Sequence, residues 1–216
     1  MISVLLVDDD PLVRSALGLM LGGGAINIVG EASDGKQAVA AWRANRTDVV
    51  LMDIRMPVMD GLEATKILVA EPFPPRVIML TTFDADEYVV AAVQAGADGF
   101  LLKDTSPADI VAAITRVNDG DAVLSPTATA ALVRTARNGA DAPDRSGAAR
   151  ALLDTLTERE LEVAQAVGRG LSNAEIAAEL FFSVPTVKAH ISRLFEKLGA
   201  TNRVQIAICV HDAGLD

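Results

Sequence analysis

Residues 49–61, VVLMDIRMPVMDG, decide the fold of the first half of the chain. The first four are apolar without interruption, which is typical of a strand buried on both faces of a parallel sheet. The run ends at Asp53, Pro57 favours a loop, and Asp60 is predicted to cap the next helix. A carboxylate at the end of such a strand lies where open α/β sheets place their reactive groups. The alternative is that Asp53 has no reactive role and only caps the loop that follows the strand.

Strands and helices alternate on both sides of this stretch. Apolar runs predict five strands, at residues 2–7, 26–31, 48–52, 76–81 and 98–102. Apolar residues at helical spacing predict a helix after each strand, at residues 11–21, 36–45, 62–70, 86–95 and 107–119. This alternation predicts a doubly wound α/β domain, a five-stranded parallel sheet with helices on both faces. It leaves the strand order open.

The pattern changes after Ser125. Residues 127–138 could form a short helix, and residues 139–147, GADAPDRSG, have the composition of a linker. Only helices are predicted from Leu156 onward. We therefore divide the chain into an α/β domain at residues 1–122, a linker at 123–151 and a small all-α domain at 152–216.

Composition excludes some classes of protein. No stretch of about 20 residues is apolar and free of charge, so no membrane span or membrane partner is expected. The N-terminus, MISVLLVDDD, lacks the basic region of a signal peptide and is interpreted as a first strand. The single cysteine, Cys209, excludes an internal disulfide and indicates the reducing cytoplasm.

The net charge of −10 is distributed unevenly. Residues 1–125 carry 9 Lys and Arg against 18 Asp and Glu, residues 126–150 carry 4 against 2, and residues 151–216 carry 6 against 9. The last region is therefore not basic, and any binding of DNA there must depend on a local patch.

Three carboxylates are expected to meet at one edge of the sheet. Asp8 and Asp9 follow the first strand, which can neighbour the third strand and thereby bring them beside Asp53. Carboxylates this close repel one another unless a cation intervenes, and Mg²⁺ prefers oxygen ligands. Asp10, followed by Pro11, is interpreted as a helix N-cap. A solvated acidic turn is the alternative for these aspartates.

Two further strand ends add a hydroxyl and an ammonium group. The fourth strand ends at Thr81, and the fifth leads to Lys103. A lysine and a hydroxyl beside a metal-bound carboxylate can neutralise and hydrogen-bond the oxygens of a phosphoryl group. Singly, each is more often an ordinary surface or strand residue, but together they indicate a phosphoryl site.

These residues resemble the receiver domain of two-component response regulators over roughly residues 1–120. The resemblance implies that Asp53 accepts a phosphoryl group from a sensor histidine kinase. It also implies that Mg²⁺ is held by Asp8, Asp9, Asp53 and the main-chain carbonyl of Arg55. Thr81 and Phe100 would form the switch pair, and Lys103 would contact the phosphate. Receivers often have Lys-Pro with a cis peptide bond where this chain has Lys103-Asp104, which leaves that bond's conformation open.

The C-terminal region carries a second set of signals. Capping boxes occur at Thr157 with Glu160 and at Ser172 with Glu175, and a helix is predicted from Ser183 to residue 198. The motifs LTERE, GLSNAEIA and SVPTVKAH resemble the LuxR-type helix-turn-helix over about residues 156–208. The polar face of the Ser183 helix suits the major groove. The residues predicted to face bases are Lys188, Ala189 and Ser192, and those predicted to face phosphates are Thr186 and Arg193.

Together the two matches make the whole chain resemble a NarL/FixJ-type response regulator. The resemblance implies a cytoplasmic transcription factor that binds double-stranded DNA and forms a homodimer on phosphorylation. It implies no enzymatic activity beyond the receiver's own phosphotransfer and dephosphorylation. The last helix, at about residues 203–211, is the candidate dimer contact, through Arg203, Ile206 and Val210.

Two other classes of function also fit parts of the sequence. An aspartyl-phosphate phosphatase would need a second aspartate two residues after Asp53, where this chain has Arg55. A helical domain that binds protein instead of DNA would fit the acidic charge, and the salt dependence of DNA binding separates the two.

Overall fold

The computed structural model describes residues 1–82, 86–125, 128–130, 132 and 143–215. These residues fall into two compact units, one made of residues 1–119 and 123–132 and the other of residues 120–122 and 143–215. The helix predicted at residues 127–138 and the predicted linker at 139–147 lie largely outside the described residues.

The first unit is built from alternating strands and helices, as predicted. Its strands are β1 (Ile2–Val7), β2 (Ile26–Ala32), β3 (Val49–Asp53), β4 (Arg76–Thr81), β5 (Gly99–Leu102) and β6 (Val123–Leu124). Its helices are α1 (Pro11–Leu21), α2 (Gly35–Ala44), α3 (Gly61–Val69), α4 (Asp86–Ala95) and α5 (Pro107–Asn118). Asp10 and Asp60 cap α1 and α3 as expected, each side chain accepting a hydrogen bond from a main-chain N–H of the first turn.

All neighbouring strands pair in parallel, in the order β2-β1-β3-β4-β5-β6. The sixth strand corrects the prediction of five, because two residues are too few to produce a detectable sequence pattern. The chain runs outward in opposite directions from β1 and β3, so the strand order reverses between them. Ligands of open α/β sheets bind at such a switch point, outside the carboxyl ends of the strands.

Burial on both faces of the sheet explains the uninterrupted apolar run in β3. Val50 and Met52 belong to the core that includes residues of α2, α3 and α4, whereas Val49 and Leu51 belong to the core that includes residues of α1 and α5. All four are at most 1% exposed. This packing holds the end of β3, and with it Asp53, in a fixed position.

The second unit is helical in its described part, as predicted. Its helices are α6 (Pro143–Leu153), α7 (Glu158–Gly168), α8 (Asn173–Glu179), α9 (Val184–Leu198) and α10 (Arg203–Ala213). Residues of all five helices contribute to one hydrophobic core. Helix α6 begins within the stretch interpreted as a linker. In the described part of the chain, no helix has both the length and the apolar character needed to cross a membrane.

Candidate functional site

The ends of β1 and β3 bring two carboxylates together. The strands are paired so that Val7 lies opposite Met52, and Asp8 and Asp53 therefore lie side by side at the switch point. Asp8 is 2% exposed and Asp53 is 7% exposed. Burial of two neighbouring carboxylates is unfavourable unless a positive charge compensates their negative charges.

Asp9 completes a group of three carboxylates. Ligand oxygens of Asp8, Asp9 and Asp53 all lie within 4.8 Å of one another, and Asp9 is exposed to solvent. Three convergent carboxylate oxygens with one side open to water fit Mg²⁺, which binds oxygen and retains several waters. Arg55, whose main-chain carbonyl was the fourth predicted ligand, lies in the loop that leaves β3.

Lys103 supplies positive charge between two of these carboxylates. Its Nζ lies 2.6 Å from Oδ2 of Asp8 and 3.0 Å from Oδ2 of Asp53. Burial raises the pKa of Asp53, and the hydrogen bond from Lys103 opposes that rise. Burial would lower the pKa of Lys103, but hydrogen bonds to Asp8 and Asp53 outweigh it and raise the pKa. The lysine is therefore held as a cation beside Asp53.

Thr81 and Phe100 are both buried near this edge. Thr81 ends β4 and is 2% exposed, and its carbonyl accepts a hydrogen bond from the N–H of Lys103 at 2.8 Å. Phe100 is 1% exposed and belongs to the core that includes residues of α2, α3 and α4. The ring already lies inward in this conformation. Among the described residues no peptide bond is cis, so the Lys103-Asp104 bond is trans.

A contact between Arg55 and Tyr88 was not predicted from the sequence. Nε and Nη2 of Arg55 donate hydrogen bonds to the hydroxyl of Tyr88 at 3.0 and 2.5 Å. The pair borders an open groove of about 510 Å³ beside the carboxylates, lined by Asp9, Ile54, Arg55, Met56, Pro57, Asp60, Leu62 and Tyr88. The side chain that follows Asp53 by two residues thus connects its loop to α4.

In the second unit, α8 and α9 form the predicted helix-turn-helix. Both predicted capping boxes are present, at Thr157 with Glu160 and at Ser172 with Glu175, and Ser183 caps α9. Val187, Ile191 and Leu194 of α9 are buried in the domain core. The opposite face is exposed and carries all five residues predicted to contact DNA, namely Thr186, Lys188, Ala189, Ser192 and Arg193.

An ion pair connects α9 with the start of α7. Nζ of Lys197 lies 2.7 Å from Oε2 of Glu160, which also accepts a hydrogen bond from the N–H of Thr157 at 2.9 Å. The Lys197 ammonium, together with the Thr157 N–H, lowers the pKa of Glu160 to about 2. The capping role of Glu160 was predicted, but its pairing with Lys197 was not.

The residues assigned to a dimer contact are buried. Arg203 is 6% exposed, and Ile206 and Val210 are 0% exposed. Arg203 donates to Oδ1 of Asn173 at 2.7 Å and to the carbonyl of Leu171, while the other two pack in the helical core. This corrects the assignment, because side chains enclosed within one domain are not available to a second chain.

The turn between α8 and α9 contains an unusual aromatic residue. The N–H of Phe182 donates to the carbonyl of Ala177 at 2.9 Å, which is the bond of a Schellman helix end. The preceding residue, Phe181, has a φ of 57°, a left-handed conformation in which glycine is usual. A side chain there costs about 1 kcal/mol or more. Phe181 is nevertheless 95% exposed.

Comparison with known protein families is consistent with this geometry. Residues 4–115 match the response regulator receiver domain, and residues 154–210 match the bacterial regulatory proteins of the luxR family. The first match contains every residue of the carboxylate site, and the second contains the helix-turn-helix.

Similar proteins extend over nearly the full chain. The transcriptional regulatory protein LiaR of Bacillus subtilis is 38% identical over 98% of this chain and 97% of its own length. The nitrate/nitrite response regulator protein homolog of Haemophilus influenzae is 35% identical over 96% of this chain and 95% of its own. ChrA, a response regulator of a heme-sensing two-component system whose crystal structure is known, is 36% identical in sequence. The structural match covers 100% of this chain and 98% of the ChrA chain, with a TM-score of 0.54.

Proposed function

The chain belongs to the NarL/FixJ-type two-component response regulators, and on this premise we propose that phosphorylation of Asp53 controls its binding to DNA. In this proposal a sensor histidine kinase in the cytoplasm donates the phosphoryl group. Phosphorylation promotes a homodimer that binds duplex DNA at promoters.

The observation that carries the proposal is the ammonium of Lys103 beside the carboxylate of Asp53, at 3.0 Å. A carboxylate oxygen of Asp53 attacks the phosphorus atom. At the same time the bond between phosphorus and the histidine nitrogen of the kinase breaks, and that nitrogen keeps the bonding electrons. Negative charge remains on the phosphoryl oxygens, where the Lys103 ammonium and the Thr81 hydroxyl offset it. Lys103 is held in place beforehand by Asp8 and therefore needs no reorganisation during transfer.

Asp8, Asp9 and Asp53, with the main-chain carbonyl of Arg55, are the residues that would hold Mg²⁺. The close approach of the three carboxylates supports this assignment. When bound, Mg²⁺ neutralises charge on the phosphoryl oxygens. Asp8 contributes in a second way because it orients Lys103 as well.

The phosphoryl group changes the charge at the carboxyl edge of the sheet. It adds up to about two negative charges close to Thr81, whose hydroxyl turns toward the new oxygens. Phe100 is the second member of the switch pair. Since its ring already lies inward here, phosphorylation stabilises this position instead of creating it.

The exposed face of α9 is the proposed DNA interface. Lys188, Ala189 and Ser192 face base edges, while Thr186 and Arg193 face phosphates. Their exposure on a helix whose other face is anchored in the core supports this arrangement.

Dimerisation is still assigned to α10, but to a different part of its surface. Ile208 is 37% exposed and His211 is exposed, whereas the residues originally assigned are enclosed. Dimerisation has particular importance here, because residues 151–216 carry 6 basic against 9 acidic residues and a monomer should bind DNA weakly.

We assign no enzymatic activity beyond phosphotransfer to Asp53 and its reversal. A phosphatase acting on another substrate would need a general acid two residues after Asp53, and Arg55 cannot serve because its guanidinium does not deprotonate. Absence of turnover of a phosphorylated metabolite checks this assignment.

The test is the transfer of one phosphoryl group to the full chain, measured by intact mass with a small-molecule phosphodonor and Mg²⁺. We expect the mass increase of one phosphoryl group in the wild type and none in Asp53→Ala. Asp10→Asn, which changes a neighbouring carboxylate outside the proposed ligand set, serves as the control and should be phosphorylated. Phosphorylation of Asp53→Ala to the wild-type level would place the acceptor elsewhere.

A further inference from the structure

The ring of Phe181 lies outside the hydrophobic core of its domain. It is 95% exposed at a position with a φ of 57°, where glycine would form the same turn without a steric cost. The exposed ring therefore does not stabilise the domain, and a role for it depends on what lies beside the turn.

The residue that follows Phe181 makes two contacts with its surroundings. The ring of Phe182 stacks on the ring of His190, with centroids 5.4 Å apart and an angle of 20° between planes. Cζ of Arg159 in α7 lies 5.8 Å from the centroid of the same Phe182 ring. His190 belongs to α9, so the stack fixes the backbone of Phe181 relative to that helix.

The position of Phe181 along the chain places it next to the proposed DNA interface. It precedes Ser183, the N-cap of α9, by two residues. The N-terminal residues of a recognition helix enter the major groove, and the residues just before them lie at its edge. We propose that the ring of Phe181 packs against duplex DNA, on deoxyribose carbons and thymine methyl groups bordering the site that α9 reads. This inference rests on the proposed DNA interface and extends it.

The charge of the domain favours an apolar contact of this kind. Of the basic residues between positions 151 and 216, Arg159, Arg169, Lys197 and Arg203 form ion pairs with carboxylates. Attraction to phosphates is therefore weak for a DNA-binding domain. Contacts independent of charge, such as an aromatic ring on a thymine methyl group, must then supply a larger share of the affinity.

Phe181→Gly in the full chain separates a DNA contact from a structural role, because glycine removes both the ring and the steric cost. Phe73→Gly is a matched control, since Phe73 is 94% exposed with a φ of 56° but lies in the first unit. The DNA is a duplex selected from a random pool by wild type treated with phosphodonor and Mg²⁺. The same duplex and treatment are used for every variant.

We expect neither substitution to lower the midpoint of thermal unfolding. Phe181→Gly should weaken binding about tenfold, while Phe73→Gly should bind like the wild type. Phe181→Leu, which keeps an apolar side chain, should retain most of the affinity.

Wild-type affinity in Phe181→Gly would overturn the inference, and so would an equal loss in both glycine variants. A loss of dimer mass in Phe181→Gly, measured without DNA, would assign the ring to a second copy of the chain and also overturn it. A wild type that selects no duplex at all would overturn the proposed DNA interface itself, which distinguishes the two failures.

Discussion

The ammonium nitrogen of Lys103 lies 3.0 Å from Oδ2 of Asp53, at an edge of the sheet where both side chains are largely enclosed. The side chains are 16% and 9% exposed, respectively. Water therefore screens this pair less than it screens a surface ion pair.

Lys103→Ala should slow phosphorylation of Asp53 by about a hundredfold, because it removes a preorganised cation that offsets charge in the transition state. The measurement is the rate of phosphoryl incorporation from a small-molecule donor. Lys66→Ala removes an exposed lysine of the same unit and should leave the rate unchanged. A Lys103→Ala rate equal to that of wild type would contradict the assigned role.

Gly61→Ala should destabilise the first unit by about 1–3 kcal/mol, the usual cost of overpacking. A Cβ at this position would lie 2.0 Å from the main-chain oxygen of Asp53. Urea unfolding followed by the fluorescence of Trp42 measures the change. Gly18→Ala places a methyl group in open space on α1 and should stabilise the same unit slightly. Equal effects of the two substitutions would show that the close approach at Gly61 has no consequence.

Glu160→Gln should destabilise the second unit by about 1 kcal/mol near neutral pH, through loss of the pair with Lys197. The pKa of Glu160 falls from 4.5 to about 2 on folding. The stabilisation is therefore fully present above pH 4.5 and is lost as the pH falls toward 2.

Denaturant unfolding, followed by hydrogen exchange in peptides from α7, measures this difference at about pH 7 and about pH 3. The gap between wild type and Glu160→Gln should shrink at the lower pH. Glu162→Gln alters the exposed pair with Arg159 and should change stability little at either pH. A gap for Glu160→Gln that is independent of pH would contradict the assignment of the low pKa to this carboxyl.

Lys188→Ala should lose specific DNA binding, by about tenfold to a hundredfold, without a change in the unfolding midpoint. The side chain is exposed on the outer face of α9, so its removal leaves no cavity. A gel-shift titration against the selected duplex measures the affinity, with Lys66→Ala as the control for loss of one positive charge. Retained affinity in Lys188→Ala would remove this residue from the base-reading set.

The meeting of Asp8 with Asp53 could be predicted from the sequence because both follow buried apolar runs. The ends of parallel strands share one edge, but the sequence left the strand order open, and only the structure pairs β1 with β3. The exposed face of α9 was predictable for a similar reason, since Val187, Ile191 and Leu194 repeat at helical spacing and identify the buried side.

The outward face of α10 could not be identified in the same way. Apolar residues follow one another between positions 206 and 210, so they occur on every side of the helix and no periodicity separates core from surface. Arg203 was assigned to the dimer contact, but Asn173 and the carbonyl of Leu171 accept its hydrogen bonds inside the domain. The left-handed conformation of Phe181 was missed because no glycine marks the turn.

Phosphorylation of Asp53 is proposed to control binding to DNA. The most direct measurement is the affinity for the selected duplex, with and without phosphodonor and Mg²⁺, in wild type and Asp53→Ala, with molecular mass determined in parallel. We expect the phosphodonor to produce a dimer and tighter binding in the wild type only. Equal affinity of the two proteins under both conditions would contradict it, leaving a DNA-binding protein that phosphorylation of Asp53 does not control.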